Sequence, residues 1–189
     1  MDWGTRLRVA TGMAYCLQHM HQLDPPMTLI KLNSSAVYLT NDYAAKLSDL
    51  SFSNDITSAE ARAIDMPIAT PESNVYSFGV LLFEMVTGRL PYSVEHRDSL
   101  ENWASHYLEG DQPLIEMVDP ILVSYQEDQL EQVAALITSC VHPDPQQRPT
   151  MKDVSERLRE ITKITPESAV PKLSPLWWAE LEIASAEAR

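Results

Sequence analysis

The chain has 189 residues, 44% of them hydrophobic, enough for one folded unit with a sizeable core. Its 14 Lys and Arg against 27 Asp and Glu leave a net charge of −13, which excludes a nucleic-acid or anionic-membrane surface driven by electrostatics. The longest apolar run, Phe78 to Phe83, falls far short of the roughly 20 residues that span a bilayer, and the N-terminus lacks a basic-then-apolar leader pattern.

Asp2 is a good N-cap, and Leu7, Ala10, Met13, Ala14, Leu17 and Met20 recur at helical spacing, predicting a first helix that ends by Pro25-Pro26. Two short extended runs follow, Ala36 to Leu39 and Ala45 to Leu47, with Thr40-Asn41-Asp42 as the turn of a small hairpin. Residues 75–87 place Val75, Phe78, Leu82 and Met85 on one face with Leu81 and Val86 beside it. A helix apolar nearly all round belongs in the centre of the domain, and Gly88 is placed to end it. Ser99 to Leu108, Asp128 to Val141 and Thr150 to Ile164 read as three more amphipathic helices separated by proline-containing loops. After Thr165-Pro166 the chain turns proline-rich, and Ser174 as N-cap with Pro175 at the first helical position begins a short acidic terminal helix carrying Trp177 and Trp178.

Few residues suggest independent chemistry. Cys16 and Cys140 both fall within apolar helical patterns, so both are expected as buried, reduced thiols rather than as a disulfide or a metal site. His19, His21, His96, His106 and His142 include no H-E-x-x-H and no Cys-His spacing suited to zinc. Ser51, Ser53 and Ser77 lack a G-x-S-x-G context.

Four segments in order carry a resemblance. MDWGTRLRVATGMAYCLQHMHQLDPP resembles the opening helix of the large lobe of plant receptor-like kinases, and Ala45-Lys46-Leu47-Ser48-Asp49-Leu50-Ser51 resembles the strand entering a D-F-G segment. NVYSFGVLLFEMVTGRLPY looks like that lobe's central helix, and HPDPQQRPTM like the Arg-bearing turn before its last helix. The resemblance covers residues 1 to about 163. It sets Leu29-Ile30-Lys31-Leu32-Asn33-Ser34-Ser35-Ala36 against the catalytic loop H-R-D-L-x-x-x-N.

In that register Lys31 stands where a kinase's base would be, and an ammonium that keeps its proton at neutral pH cannot take one from a hydroxyl. Loss of such help is worth roughly 10²- to 10⁴-fold. Asn33 replaces the Lys that follows the base, and Ala36 removes a Mg²⁺ ligand, because a methyl group cannot coordinate a hard cation. Asp49 alone keeps a metal-binding position, and one carboxylate makes a poor Mg²⁺ site. Asn33-Ser34-Ser35 matches a glycosylation sequon, which the resemblance discounts by placing it on the cytoplasmic side.

No glycine-rich loop and no V-A-I-K segment is present, so the small lobe is expected to be absent from this chain. The stretch between Asp49 and Asn74 is too short for the usual activation loop and A-P-E helix, and Thr70-Pro71-Glu72 reads as the approach to the central helix. Arg148, whose partner in the family is the A-P-E Glu, is then expected to be solvated or to find a new partner. Asn74 stands where kinases carry the Asp that pins the catalytic loop, and is expected to act structurally as a hydrogen-bond acceptor or helix cap.

The tail resembles that of the male-discoverer and root-hair-morphogenesis receptor group among plant leucine-rich-repeat receptor-like kinases. Trp177 and Trp178 either dock on their own lobe or form an interaction anchor. The expectation is thus a mainly α, kinase-like large lobe over residues 1–163 with a small β-hairpin, followed by a proline-containing linker and Trp-bearing tail over 164–189. The resemblance implies a pseudokinase that signals through protein interaction, with other receptor-like kinases as candidate partners and no cofactor. Residual ATP and Mg²⁺ binding in a Ser/Thr receptor-like kinase, or a truncated product, are the alternatives. By the same resemblance the chain is cytoplasmic, on the inner side of a plasma or endomembrane if it belongs to a full receptor.

Overall fold

In a computed structural model of the chain, the structure describes residues 1–47, 69–89, 104, 106–107 and 112–172. Helix α1, Trp3–His21, opens on Asp2, whose carboxylate accepts from the Thr5 amide at 2.7 Å. The six residues predicted for its apolar face are all buried, and Trp3 joins them. The N–H of the Trp3 indole reaches Gln129 at 3.0 Å, while its ring meets Tyr125 at a centroid distance of 6.1 Å.

Strands β1 (Val37–Leu39) and β2 (Ala45–Leu47) pair antiparallel, with Tyr38 opposite Lys46. Ala36 does not join the strand as expected; it closes a one-turn 3₁₀ helix, Ser34–Ala36, capped by Asn33. The residues of the hairpin turn include Tyr43 at φ 59°, in the left-handed region.

Helix α2, Pro71–Thr87, begins four residues earlier than the apolar pattern suggests. Thr70 and Ser73 cap it reciprocally, each side chain accepting from the other's amide, and Pro71 at the first position needs no N–H partner. Asn74 is therefore not its cap but lies within its first turn. Gly88 ends the helix at φ 66°, as expected. Helix α3 is Glu127–Cys140, and α4 is Met151–Thr162, capped by a Thr150/Asp153 box. Of the helix expected over Ser99 to Leu108, only Ala104, His106 and Tyr107 are described, and all three are helical.

One core joins the helices: Met13 and Leu17 of α1, Phe78 and Phe83 of α2, Leu136 and Ile137 of α3, and Met151 and Leu158 of α4 are all essentially inaccessible. Packing between α2 and α3 is so close at Gly79 that an added Cβ would lie 2.7 Å from the Cys140 Cβ. Cys140 is buried as expected, but Cys16 is exposed. Cys16 stands in the row Gly12, Cys16, His19, beside the buried row Met13, Leu17, Met20 and not in it, so an apolar pattern around it did not imply burial. A short helix α5, Pro166–Ala169, docks on α1, with Ala169 buried beside Gly12.

Candidate functional site

The segment that would carry the chemistry, residues 29–36, is held in place from below by α2. Asn74, 1% exposed, accepts from the Leu29 amide at 2.9 Å and donates to the Leu29 carbonyl at 2.7 Å. His21 lies 3.3 Å from the same Asn74 oxygen, and its burial holds its pKa below the ordinary 6.5 despite that hydrogen bond. Leu29 and Leu32 point into the core, which sends Lys31 outward to solvent. Asn33 spends its carboxamide oxygen on the Ser35 amide and hydroxyl, at 3.0 and 2.6 Å. That makes it a turn-former rather than a ligand. Ala36 is buried and offers no polar atom.

A kinase-like site would hold ATP with Mg²⁺, and the described residues do not fit that group. The Asn position is an alanine methyl, the base position is a solvent-facing lysine, and no cluster of three or more His, Cys, Asp or Glu suited to a metal occurs among the described residues. Asp49 lies outside the described residues, as do Trp177 and Trp178.

Beneath β1 runs an open groove of about 270 Å³, apolar along Val9, Val37, Leu39, Leu81 and Met85. At its end Arg6, 9% exposed, donates to Asp119 at 2.6 Å and to the Met85 carbonyl at 2.7 Å. The Asp119 carboxyl is held below its ordinary range by the Ile121 amide first and by Arg6 second. Glu84 faces the same groove, and its burial pushes its carboxyl above the ordinary value against a hydrogen bond from Ser34. Sequence reasoning missed this charged end of the groove. The available signal was Arg6 itself, which shares a helical row with Ala10 and Met13 and so must be buried and paired.

Among the described residues Arg148 is anchored on backbone carbonyls. Its guanidinium donates to the carbonyls of His142, Glu72 and Pro143 at 2.8, 3.0 and 3.3 Å and lies 4.9 Å over the Tyr76 ring. Glu72 thus serves it through the backbone, from the first turn of α2. Arg8 makes a second hub: it donates to the Asp42 carboxylate at 3.2 Å and to the Ser168 carbonyl at 2.9 Å. The Lys172 amide also donates to Asp42, at 3.0 Å. The start of the tail is thereby tied to the hairpin turn.

The family profile described as Protein kinase domain matches residues 9–158. The chain is 50% identical over 190 residues to Inactive receptor-like serine/threonine-protein kinase At2g40270 of Arabidopsis thaliana, covering 98% of this chain and 38% of that protein. To Protein MALE DISCOVERER 2 of the same plant it is 47% identical over 197 residues, covering 100% of this chain and 29% of the relative. Among solved structures, the apo GRMZM2G135359 pseudokinase superposes with a TM-score of 0.71 at 42% identity, over 88% of this chain and 55% of that one. The pseudokinase DRIK1, crystallised with ENMD-2076, gives the same TM-score at 43% identity. The chain therefore spans about a third of the length of these two plant relatives and about half of the solved chains.

Proposed function

The chain belongs to the protein kinase domain family, and from that premise we propose that it is a pseudokinase that signals by binding other proteins rather than by phosphoryl transfer. One observation carries the reading: Asn74 still grips the catalytic-loop segment through both polar groups of Leu29, while Lys31 and Ala36 leave that well-held loop without base or metal ligand. The scaffold of the site is kept and its chemistry is not. The names of relatives and structural neighbours, inactive receptor-like kinase and pseudokinase, support the same conclusion.

The interacting unit is the lobe over residues 1–163, with 164–189 as a tail whose Trp177 and Trp178 are candidate anchors. Tryptophan is over-represented among residues that dominate interface energy. The acidic surface suits protein partners better than polyanions, and other receptor-like kinases are the class the relatives suggest. No helix among the described residues is long and apolar enough to cross a membrane. In a full receptor this portion would lie on the cytoplasmic side of a plasma or endomembrane.

A thermal melt with ATP, alone and with Mg²⁺ or Mn²⁺, tests the reading. Ligand at ten times its Kd stabilises a folded chain by about 1.4 kcal/mol, which for this size raises Tm by roughly 3–6 °C. The expected result is a cooperative melt that nucleotide does not move, with no label transferred from ATP to protein substrates. A metal-dependent rise abolished by Asp49→Ala would overturn the nucleotide-free part of the proposal.

A further inference from the structure

A cavity of about 500 Å³ opens where the C-terminal end of α1 meets the first turns of α2 and α4. Its wall includes Arg148, Lys152 and Glu72. Arg148 has five N–H donors, of which three are anchored on carbonyls behind it, so among the described residues one hydrogen on each terminal nitrogen has no acceptor. Carbonyl oxygens and the Tyr76 ring face fix the guanidinium plane but do not neutralise its charge. Among the described residues no carboxylate lies within ion-pair distance of Arg148 or Lys152; the ion pairs are Arg6–Asp119 and Arg8–Asp42. The positive ends of α2 and α4 border the same space, since Pro71 and Glu72 of one and Met151 and Lys152 of the other line it. Among the described residues the opposing carboxylates are Glu72 on the cavity wall and Asp153, which caps α4 through the lining residue Thr150 and neighbours Lys152.

We propose that this cavity binds an oxyanion, either a carboxylate or a phosphate group, with the two Arg148 N–H groups that no described residue engages and the Lys152 ammonium as its donors. A fixed, planar guanidinium is the side chain best matched to two oxygens of one anionic group. Lys152 adds a mobile second charge at the start of α4. Glu72 limits the affinity, and so keeps the site selective for ligands that bring further contacts.

The test is an NMR titration of the whole chain, following the Arg148 side-chain Nε–H and Lys152 amide signals. Sodium phosphate and N-acetylglutamate amide are the two probes, with sodium chloride holding ionic strength constant. Saturable shifts are expected, with Lys152→Gln weakening binding and Glu72→Gln strengthening it by about 2- to 5-fold each, the size of an exposed charge pair. Both variants are at half- or fully exposed side chains and leave the anchoring of Arg148 through backbone carbonyls in place. Saturation by phosphate alone identifies the ligand as phosphorylated, and saturation by the carboxylate alone identifies an acidic peptide. Shifts that fail to saturate with either probe, or that neither substitution alters, overturn the proposal.

Discussion

Asn74 holds Leu29 by both polar groups of its backbone, its carboxamide oxygen 2.9 Å from the amide and its nitrogen 2.7 Å from the carbonyl. An asparagine can do this because it carries a donor and an acceptor side by side; an aspartate carries acceptors only. Replacing Asn74 with Ala strands a buried amide and a buried carbonyl, each costing about 1–3 kcal/mol, so a loss of roughly 2–6 kcal/mol is expected. Asn74→Asp keeps the acceptor for the Leu29 amide but buries a carboxylate and sets its second oxygen against the Leu29 carbonyl, and should cost at least as much as the alanine. Urea unfolding of the three proteins at pH 7 checks the order; an alanine variant within 1 kcal/mol of the parent would show that this grip carries little stability.

How much of this was legible beforehand varies by element. The apolar face of α1 read correctly because six apolar residues at helical spacing leave one solution. The start of α2 did not, because its first turn is polar and is fixed by the Thr70/Ser73 box rather than by burial. The loss of the base and metal ligand was legible as Lys31 and Ala36, since chemistry follows residue type. The grip on Leu29 was legible only as a role for Asn74, because a contact across 45 residues depends on tertiary packing. The same limit hid the partner of Arg6, which lies 113 residues away. The docked tail at Ala169 was read as linker, since its burial beside Gly12 leaves no periodic trace in so short a helix.

The Arg6–Asp119 pair closes the end of the groove beneath β1 and is buried on both sides. Breaking such a pair leaves a buried charge alone, so Asp119→Asn is expected to cost about 3 kcal/mol at pH 7. The Asp119 carboxyl is depressed below its ordinary 3.8 by the Ile121 amide and then by Arg6. Its stabilisation is therefore complete above the unfolded value and is lost as pH falls through the folded one. Denaturation at pH 7, 5 and 3 should show parent and variant far apart at the first two and converging at the third. A gap that stays constant down to pH 3 would separate the stability of this region from the ionisation of Asp119.

Gly79 marks the closest approach of α2 to α3. A Cβ there would lie 2.7 Å from the Cys140 Cβ and 2.9 Å from the Val141 Cγ1, and the first of these belongs to the α3 frame and cannot swing aside. Alanine's better helix propensity offers about 1 kcal/mol in return, while overpacking a tight core costs about 1–3 kcal/mol, so Gly79→Ala should be neutral to destabilising by roughly 2 kcal/mol. Gly79→Val, which adds two more methyl groups to the same contact, should fold poorly or not at all. A valine variant as stable as the parent in a thermal melt would mean that α2 and α3 can separate at little cost.

The two cysteines differ in surroundings and should differ in reactivity. Burial pushes the Cys140 thiol up to about 12, whereas Cys16 is an exposed residue of α1 whose thiol is also raised by burial, without so large a shift. Thiolate is the reactive form, so alkylation at pH 8 should give one adduct, at Cys16, and a second only after unfolding. Because the folded value of Cys140 is raised, its neutral thiol stabilises the fold fully below the ordinary 9.0, and that contribution is lost as pH climbs toward 12. Peptide mapping by mass spectrometry reads the first expectation directly. The second predicts that Cys140→Ala, less stable than the parent at pH 7, closes part of that gap at pH 10.5; an undiminished gap there would show that the Cys140 thiol does not couple to folding.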